Sequence, residues 1–143
     1  MPRDFKKLEI WKDSHSFILY IYKITTSFPQ TEQFGIVQQL RRAAVSISSN
    51  IAEGCGRNTN RDLIRFIFIA YGSLKECESL IVISYDLSYL KQKDFSSLND
   101  KADVLGKKLY KFAEGVKKLM PVNLDQIPET RNPLPNTRDK NDL

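Results

Sequence analysis

The positions of the prolines constrain the fold of this chain more than any other feature of its sequence. Pro2 and Pro29 are the two prolines among the first 120 residues, and the other four follow Met120. Proline interrupts helices, and frequent proline and glycine are typical of chains built from short strands. The long uninterrupted segments of this 143-residue chain therefore predict a single domain of long helices.

Apolar residues recur at helical spacing along four segments of the chain. The predicted helices span residues 5–28, 32–54, 60–90 and 94–120. Phe34 is predicted to lie in the core stripe of the second helix, and Thr31 to cap its start. Because the connections are short, the segments predict an all-α, up-down-up-down antiparallel four-helix bundle. The first and third helices carry additional apolar surface, which predicts further neighbours and hence oligomerisation.

The composition changes after Met120, where prolines are interspersed with Asn, Asp, Thr and Arg. This pattern predicts that residues 1–120 form the bundle domain and that residues 121–143 form a flexible, disordered tail. The longest run without a charged residue, Ala43–Ala52, is far shorter than the roughly 18 residues that span a bilayer. The N-terminal residues also lack the apolar segment of a signal peptide. We therefore expect a cytoplasmic protein with no membrane partner.

Small and polar residues follow one another at helical spacing in the second predicted helix. This small-residue stripe consists of Ala43, Ser46, Asn50 and Gly54. Small side chains let two helices approach closely, and Gly72 and Ser73 of the third helix are the predicted counterpart. Gly54 and Gly56 are predicted to form a left-handed turn that ends the second helix.

Two carboxylates on adjacent predicted helices, Glu53 and Glu76, allow two interpretations. Paired carboxylates can act as an acid and a base. The alternative, which we favour, is a structural polar network that includes the neighbouring Ser49, Asn50 and Ser73. No Glu-x-x-His pattern accompanies the carboxylates, so a di-iron centre is not expected.

Cysteine and histidine are too few for the common catalytic and metal sites. Cys55 and Cys77 lack metal-ligand spacing, and His15 is the single histidine. A catalytic Cys–His pair would need His15 as its base, but the apolar stripe that carries His15 favours packing. Trp11 on the same stripe is interpreted as a core or interface residue rather than a stacking platform. We expect no catalytic residue, metal or cofactor.

Arginine provides the strongest signal for a binding partner in this chain of net charge +5. Arg57, Arg61 and Arg65 lie at the predicted start of the third helix, where free N–H groups favour an anion. Arg41 and Arg42 lie about four helical turns before Arg57. The planar guanidinium fork suits phosphate, so all five arginines are candidate nucleic-acid-binding residues.

The same arginines also have a structural interpretation. They could form a solvated face, or pair with Glu53, Asp62 or a neighbouring subunit. The chain contains no aromatic-rich motif for single strands and no helix-turn-helix spacing. Base-specific readout is therefore not expected in either interpretation.

Four stretches of the sequence carry a family likeness: Phe5–Trp11, Phe28–Pro29, Gln39–Gly54 and Ile69–Glu76. They resemble the bacterial four-helix-bundle proteins, which include proteins encoded in intervening sequences of 23S ribosomal RNA genes. The resemblance extends over about residues 5–120 and excludes the tail. Ser48 departs from the family pattern, in which proline is usual at this position, and predicts a straighter second helix.

The resemblance implies an up-down bundle that assembles as a homopentamer with a basic surface. A more distant likeness, to the pentameric accessory protein of diversity-generating retroelements, implies nucleic-acid and protein partners. Our leading hypothesis is a non-enzymatic homo-oligomer that binds structured RNA, or another RNA or DNA, through arginine-rich surfaces. The alternative is a protein-interaction scaffold or accessory subunit whose arginines contact subunits or partners.

Overall fold

The computed structural model of the protein describes residues 3–121. This part of the chain contains four α-helices and no strand, which confirms the all-α prediction. The helices are α1 (Glu9–Thr25), α2 (Ile36–Cys55), α3 (Asn60–Asp86) and α4 (Gln92–Lys118). Short 3-10 turns at Phe5–Lys7 and Gln30–Glu32 precede α1 and α2.

Each helix packs against two neighbours, in the cyclic order α1, α2, α3, α4. The Arg41 Nε atom, near the start of α2, donates to Thr25 Oγ1 at the end of α1 over 3.0 Å. The Tyr20 hydroxyl, late in α1, donates to Asp94 at the start of α4 over 2.9 Å. Neighbouring helices therefore run antiparallel. The largest fully buried side chains line the bundle axis and include Phe17, Ile21, Leu40, Ile47, Ile51, Ile67, Leu74, Ile81, Leu98 and Leu109.

Helix α2 begins later than the sequence predicted. Gly35 has a non-helical backbone (φ −106°, ψ −117°), and the α-helix starts only at Ile36. The Glu32 carboxylate, rather than Thr31, accepts the hydrogen bond from the Ile36 N–H over 3.2 Å. Phe34 lies in the intervening loop and is 92% exposed, so its predicted core position is wrong.

The close approach of α2 and α3 is confirmed at two levels. A Cβ added to Gly54 would lie 2.9 Å from the Cβ of Phe66, so only glycine fits here. Farther along the helix pair, the hydroxyls of Ser46 and Ser73 are 2.9 Å apart. Gly72 is different, because a Cβ added there would meet nothing within 4 Å. It faces away from α2 and is not the predicted counterpart of the small-residue stripe.

The left-handed helix end lies at a different place from the predicted one. Gly56 has φ −85°, and no glycine of the described residues has a positive φ. Ser88, after α3, instead adopts φ 65°. Its N–H donates to the Tyr85 carbonyl over 2.9 Å, and the Tyr89 N–H donates to the Ser84 carbonyl over 2.9 Å. These two bonds are the Schellman pattern, with a serine at the position that glycine usually takes.

Two sequence predictions concern the chain ends and the membrane. Apart from Pro121, the predicted flexible tail lies outside the described residues. Within residues 3–121, no helix is both long enough and apolar enough to span a bilayer.

Candidate nucleic-acid interface

Basic side chains are concentrated at one end of the bundle. The antiparallel order places three segments there, residues 3–12, 53–65 and 111–121, and we call them the basic end. These segments contain ten basic and five acidic residues, whereas residues 20–45 and 82–100, toward the opposite end, contain five and four. The basic residues are Arg3, Lys6, Lys7, Lys12, Arg57, Arg61, Arg65, Lys111, Lys117 and Lys118.

One hydrogen bond and one cation–π contact join the three segments of the basic end, and ion pairs of Lys108, just outside it, join α4 to α1. The Arg3 N–H donates to the Cys55 carbonyl over 3.2 Å, which joins the N-terminal segment to the end of α2. The Arg3 guanidinium also lies 5.8 Å from the ring centroid of Phe112 on α4. Lys108 links α4 to α1, because its Nζ lies 2.8 Å from Asp13 and 2.7 Å from Glu9. Hydrogen bonds to these two carboxylates raise the pKa of Lys108 and hold it in the charged form.

Arg57 and Arg65 are brought together around one aromatic ring. Their Cζ atoms lie 4.8 Å and 4.9 Å from the ring centroid of the half-buried Phe66. Arg57 is also 2.7 Å from Glu53, and Arg65 lies 3.9 Å from Asp62. The guanidinium groups are thus oriented before any ligand binds. Phe66 was not predicted as part of the site, although its position one residue after Arg65 was a usable signal.

Arg61 points to the other side of α3, toward α4. It lines a groove of about 280 Å³ with Lys117, Glu114 and the exposed rings of Phe68 and Tyr110. Arg61 forms no ion pair among residues 3–121. Its charge therefore adds to those of Lys117 and Lys118 at the end of α4.

Arg41 and Arg42 lie toward the opposite end of the bundle and do not join the other three arginines. Arg41 donates to Thr25 and, over 3.3 Å, to the Tyr22 carbonyl, and its guanidinium lies 4.5 Å from the Tyr22 ring centroid. It therefore caps the end of α1. Arg41 and the exposed Arg42 both line a groove between α1 and α2, which has a volume of about 460 Å³ and includes Phe34.

Side chains rather than helix dipoles determine the potential at the basic end. The N-termini of α1 and α3 and the C-termini of α2 and α4 all lie there. The partial positive charges of two helix starts are thus offset by the partial negative charges of two helix ends. At the start of α3, the Thr59 hydroxyl also accepts a hydrogen bond from the Asp62 N–H over 3.1 Å and caps the helix.

The two carboxylates of the other candidate site do not lie close together. Because Ser46 pairs with Ser73 and Gly54 lies against Phe66, Glu53 and Glu76 are offset by about 14 Å along the helix pair. The predicted polar network is present in part, since Asn50 Nδ2 lies 3.0 Å from Ser46 Oγ, but Glu53 and Ser49 face solvent.

Both thiols are buried, and burial raises the pKa of Cys55 and raises that of Cys77 to about 12. His15 is exposed and stacks on Trp11 with a ring separation of 5.1 Å. No cluster of three or more His, Cys, Asp and Glu residues suited to a metal occurs in the described part of the chain. Residues 3–121 thus bring together neither the carboxylate pair, the Cys–His pair nor a metal-ligand cluster.

Comparison with known families identifies the chain. A sequence model of the family described as 23S rRNA-intervening sequence protein matches residues 6–111, well over half of the chain. The chain belongs to the 23S rRNA-intervening sequence protein family. The match includes all five candidate arginines and ends within α4. No curated protein matches the chain.

A solved structure illustrates how the fold of this member of the 23S rRNA-intervening sequence protein family compares with known proteins. It is the crystal structure of a protein of unknown function from the S23 ribosomal protein family of Bacteroides thetaiotaomicron VPI-5482. The two chains are 22% identical and superimpose with a TM-score of 0.66, over 73% of this chain and 97% of that one. At this level of identity the likeness establishes the fold alone.

Proposed function

We propose that this protein is a non-enzymatic, cytoplasmic, homo-oligomeric helical bundle that binds structured RNA through its basic end. The observation that carries the proposal is the segregation of charge, with ten basic and five acidic residues in three segments at one end. Phosphate contacts supply most of the affinity in non-specific nucleic-acid binding. The description of the family, which refers to 23S rRNA, favours RNA over DNA.

Arg57, Arg61 and Arg65 are the proposed phosphate ligands, together with the lysines of the same end. Arg57 and Arg65 are oriented by Phe66 and their carboxylate partners, which reduces the entropy lost when they bind. Arg61 and the two lysines that end α4 contribute exposed charges. The proposal does not depend on Arg41 and Arg42, which lie in the other half of the bundle.

Assembly would multiply a modest affinity. We propose a homo-oligomer, with the pentamer that the family resemblance implies as the expected form. Several copies of one basic end, held in a fixed arrangement, would bind an extended RNA with an avidity about 10²–10⁴-fold above that of one copy. Exposed apolar side chains on α3 and α1 support self-association, because a helical surface of this kind is normally covered.

The test compares two triple variants that remove the same charge from opposite ends. Arg61, Lys117 and Lys118 are replaced together by Ala at the basic end, and Lys23, Lys91 and Lys93 at the other end. All six are exposed. Binding of a base-paired RNA hairpin is titrated at several salt concentrations. The first variant should reduce affinity and flatten the log–log salt slope by about 2 to 3, while the second should match the wild type. Equal effects of the two variants would contradict a localised site.

The alternative function, a protein-interaction scaffold, is favoured by one observation. Arg41 donates two hydrogen bonds to the end of α1, and Arg57 and Arg65 already contact carboxylates, so part of the arginine set has structural partners. A protein that assembles but binds the RNA hairpin no better at low salt than at high salt would favour this alternative.

A further inference from the structure

The outer face of α3 carries apolar side chains that the rest of residues 3–121 leaves partly exposed. Phe68, Ile69 and Ile83 are 45%, 42% and 44% exposed, although the opposite side of the same helix forms the core. Gly72 lies at the centre of this outer face. A helix that is apolar on its outer side as well as its core side is expected to have a further neighbour, in addition to α2 and α4.

Gly72 makes this face suited to another helix. Glycine weakens a helix and is not needed here for a turn, because α3 continues regularly for more than ten residues on either side. Its bare backbone has open space where a side chain would point. Glycine and other small residues on a helix surface let a second helix backbone approach closely. Gly54 has this role between α2 and α3, and Gly72 meets no such partner among residues 3–121.

We propose that the outer face of α3 binds the outer face of α2 from a second copy of this chain, with the two helices antiparallel. The outer face of α2 is small in the middle, at Val45 and Ser49, and charged near its ends, at Arg42 and Glu53. It therefore offers the flat centre and charged ends that a close helix contact needs.

Charge complementarity sets the register. Arg42 and Glu53 are eleven residues apart on α2, and Arg65 and Glu76 are eleven residues apart on α3. Both separations correspond to about 16 Å along a helix axis. An antiparallel arrangement consequently places Arg42 opposite Glu76 and Glu53 opposite Arg65 at the same time. A parallel arrangement in the same register would bring like charges together.

The same register matches the centres of the two faces. With Arg42 opposite Glu76, Val45 lies beside Gly72 and Ser49 lies opposite Ile69. In this register the isopropyl group of Val45 fills the space above Gly72.

The four charged side chains are available for these contacts. Arg42 and Glu76 are exposed and form no ion pair among residues 3–121. Arg65 is 62% exposed and lies 3.9 Å from its present partner, which is a weak contact. Glu53 has a second oxygen besides the one that accepts from Arg57.

The contact joins two different faces of one chain, so each copy can bind a neighbour on either side. Repetition of such a heterologous contact generates a closed ring or an open filament. The inference rests on the self-association in the proposed function and names the surfaces that produce it. In the assembled protein it assigns Arg42 to a subunit contact, together with Arg65, which is one of the three arginines proposed above as phosphate ligands. Arg57 and Arg61 then remain for phosphate.

Charge reversal tests the register. Arg42→Glu and Glu76→Arg are made singly and together, and the assembled mass is measured by light scattering over a range of concentrations. Each single variant should move the midpoint of assembly to a concentration at least about tenfold higher, and the double variant should return to within about threefold of the wild type. Lys107→Glu, on the outer side of α4, is the control and should assemble normally. Singles that assemble like the wild type, or a double that fails to recover, would overturn the inference.

Two glycines provide a second, independent test. Gly72→Gln and Gly115→Gln both place a polar side chain where nothing lies within 4 Å, on α3 and α4 respectively. Circular dichroism should show that both variants fold, and only Gly72→Gln should weaken assembly. Equal assembly of the two would contradict a close contact at Gly72.

RNA titration of the same variants separates this inference from the proposed function. Normal assembly of Arg42→Glu together with salt-dependent RNA binding would overturn the subunit contact alone. Disrupted assembly with no RNA binding by the intact oligomer would overturn the RNA function alone.

Discussion

Replacing Gly54 by Ala tests the contact on which the α2–α3 pair depends. The added Cβ would lie 2.9 Å from Phe66 Cβ, 3.1 Å from Leu63 Cδ1 and 3.3 Å from the Leu63 carbonyl oxygen. Two of these three atoms, Phe66 Cβ and the Leu63 carbonyl oxygen, cannot move without moving the backbone of α3. The helices must therefore separate by several tenths of an ångström over the closest part of their contact.

The size of the stability change in Gly54→Ala follows from two opposing effects. Overpacking of a helix interface costs about 1–3 kcal/mol. Alanine regains up to about 1 kcal/mol of helix propensity, and less here because Gly54 is close to the end of α2. We expect a net loss of about 1–2 kcal/mol in the free energy of unfolding, which lowers the Tm by about 4–8 °C for a domain of this size.

Urea unfolding followed by circular dichroism measures the effect, at one protein concentration for all variants. Gly115→Ala is the matched control, because its Cβ would meet nothing within 4 Å and should raise stability by up to about 1 kcal/mol. A Gly54→Ala variant as stable as the wild type, or more stable, would refute the close approach of α2 and α3.

Three further predictions concern helix ends and thiols. Ser88→Gly should raise stability by about 0.5–1 kcal/mol in urea unfolding, because Ser88 has φ 65° and glycine adopts this conformation without strain; a loss of stability would contradict it. Thr59→Ala should lower stability by about 1 kcal/mol through loss of the cap at the start of α3, whereas Thr59→Ser should be nearly neutral. Cys55 and Cys77 should react with a disulfide reagent at pH 8 far more slowly in the folded protein than in urea, because burial raises the pKa of both thiols; rapid labelling of the folded protein would show that one is accessible.

The arrangement of the helices was predictable because it depends on local patterns. The apolar stripes of α2, α3 and α4 repeat at helical spacing, and residues such as Leu40, Ile67 and Leu109 are buried as that spacing requires. The small residues Ser46 and Gly54 likewise indicated the close contact with α3. Such patterns are properties of one segment and need no knowledge of distant residues.

The errors arose where backbone geometry outside the helices decides the outcome. Phe34 continues the apolar stripe of α2, but the non-helical Gly35 removes it from the helix and from the core. Gly54 and Gly56 suggested a left-handed helix end, yet Gly54 is required for packing and the left-handed residue is Ser88. A glycine has several uses, and its sequence position does not distinguish among them.

The candidate site was only partly predictable. Arg57, Arg61 and Arg65 were identified from their position near a helix start, but the contact of Arg41 with the end of α1 joins residues sixteen or more positions apart. Such a contact depends on how two helices are aligned. The concentration of charge was available from the sequence, since an up-down bundle places residues 3–12, 53–65 and 111–121 at one end. This concentration of basic residues is spread over three separate segments of the sequence, and the fold brings them to one end of the bundle.

The measurement that tests the central claim most directly is the salt dependence of RNA binding by the two triple variants. Loss of affinity and a flatter salt slope in the Arg61, Lys117 and Lys118 variant, with the Lys23, Lys91 and Lys93 variant unchanged, is the predicted result. Affinity that does not weaken as salt rises, or variants that behave alike, would contradict RNA binding by the basic end.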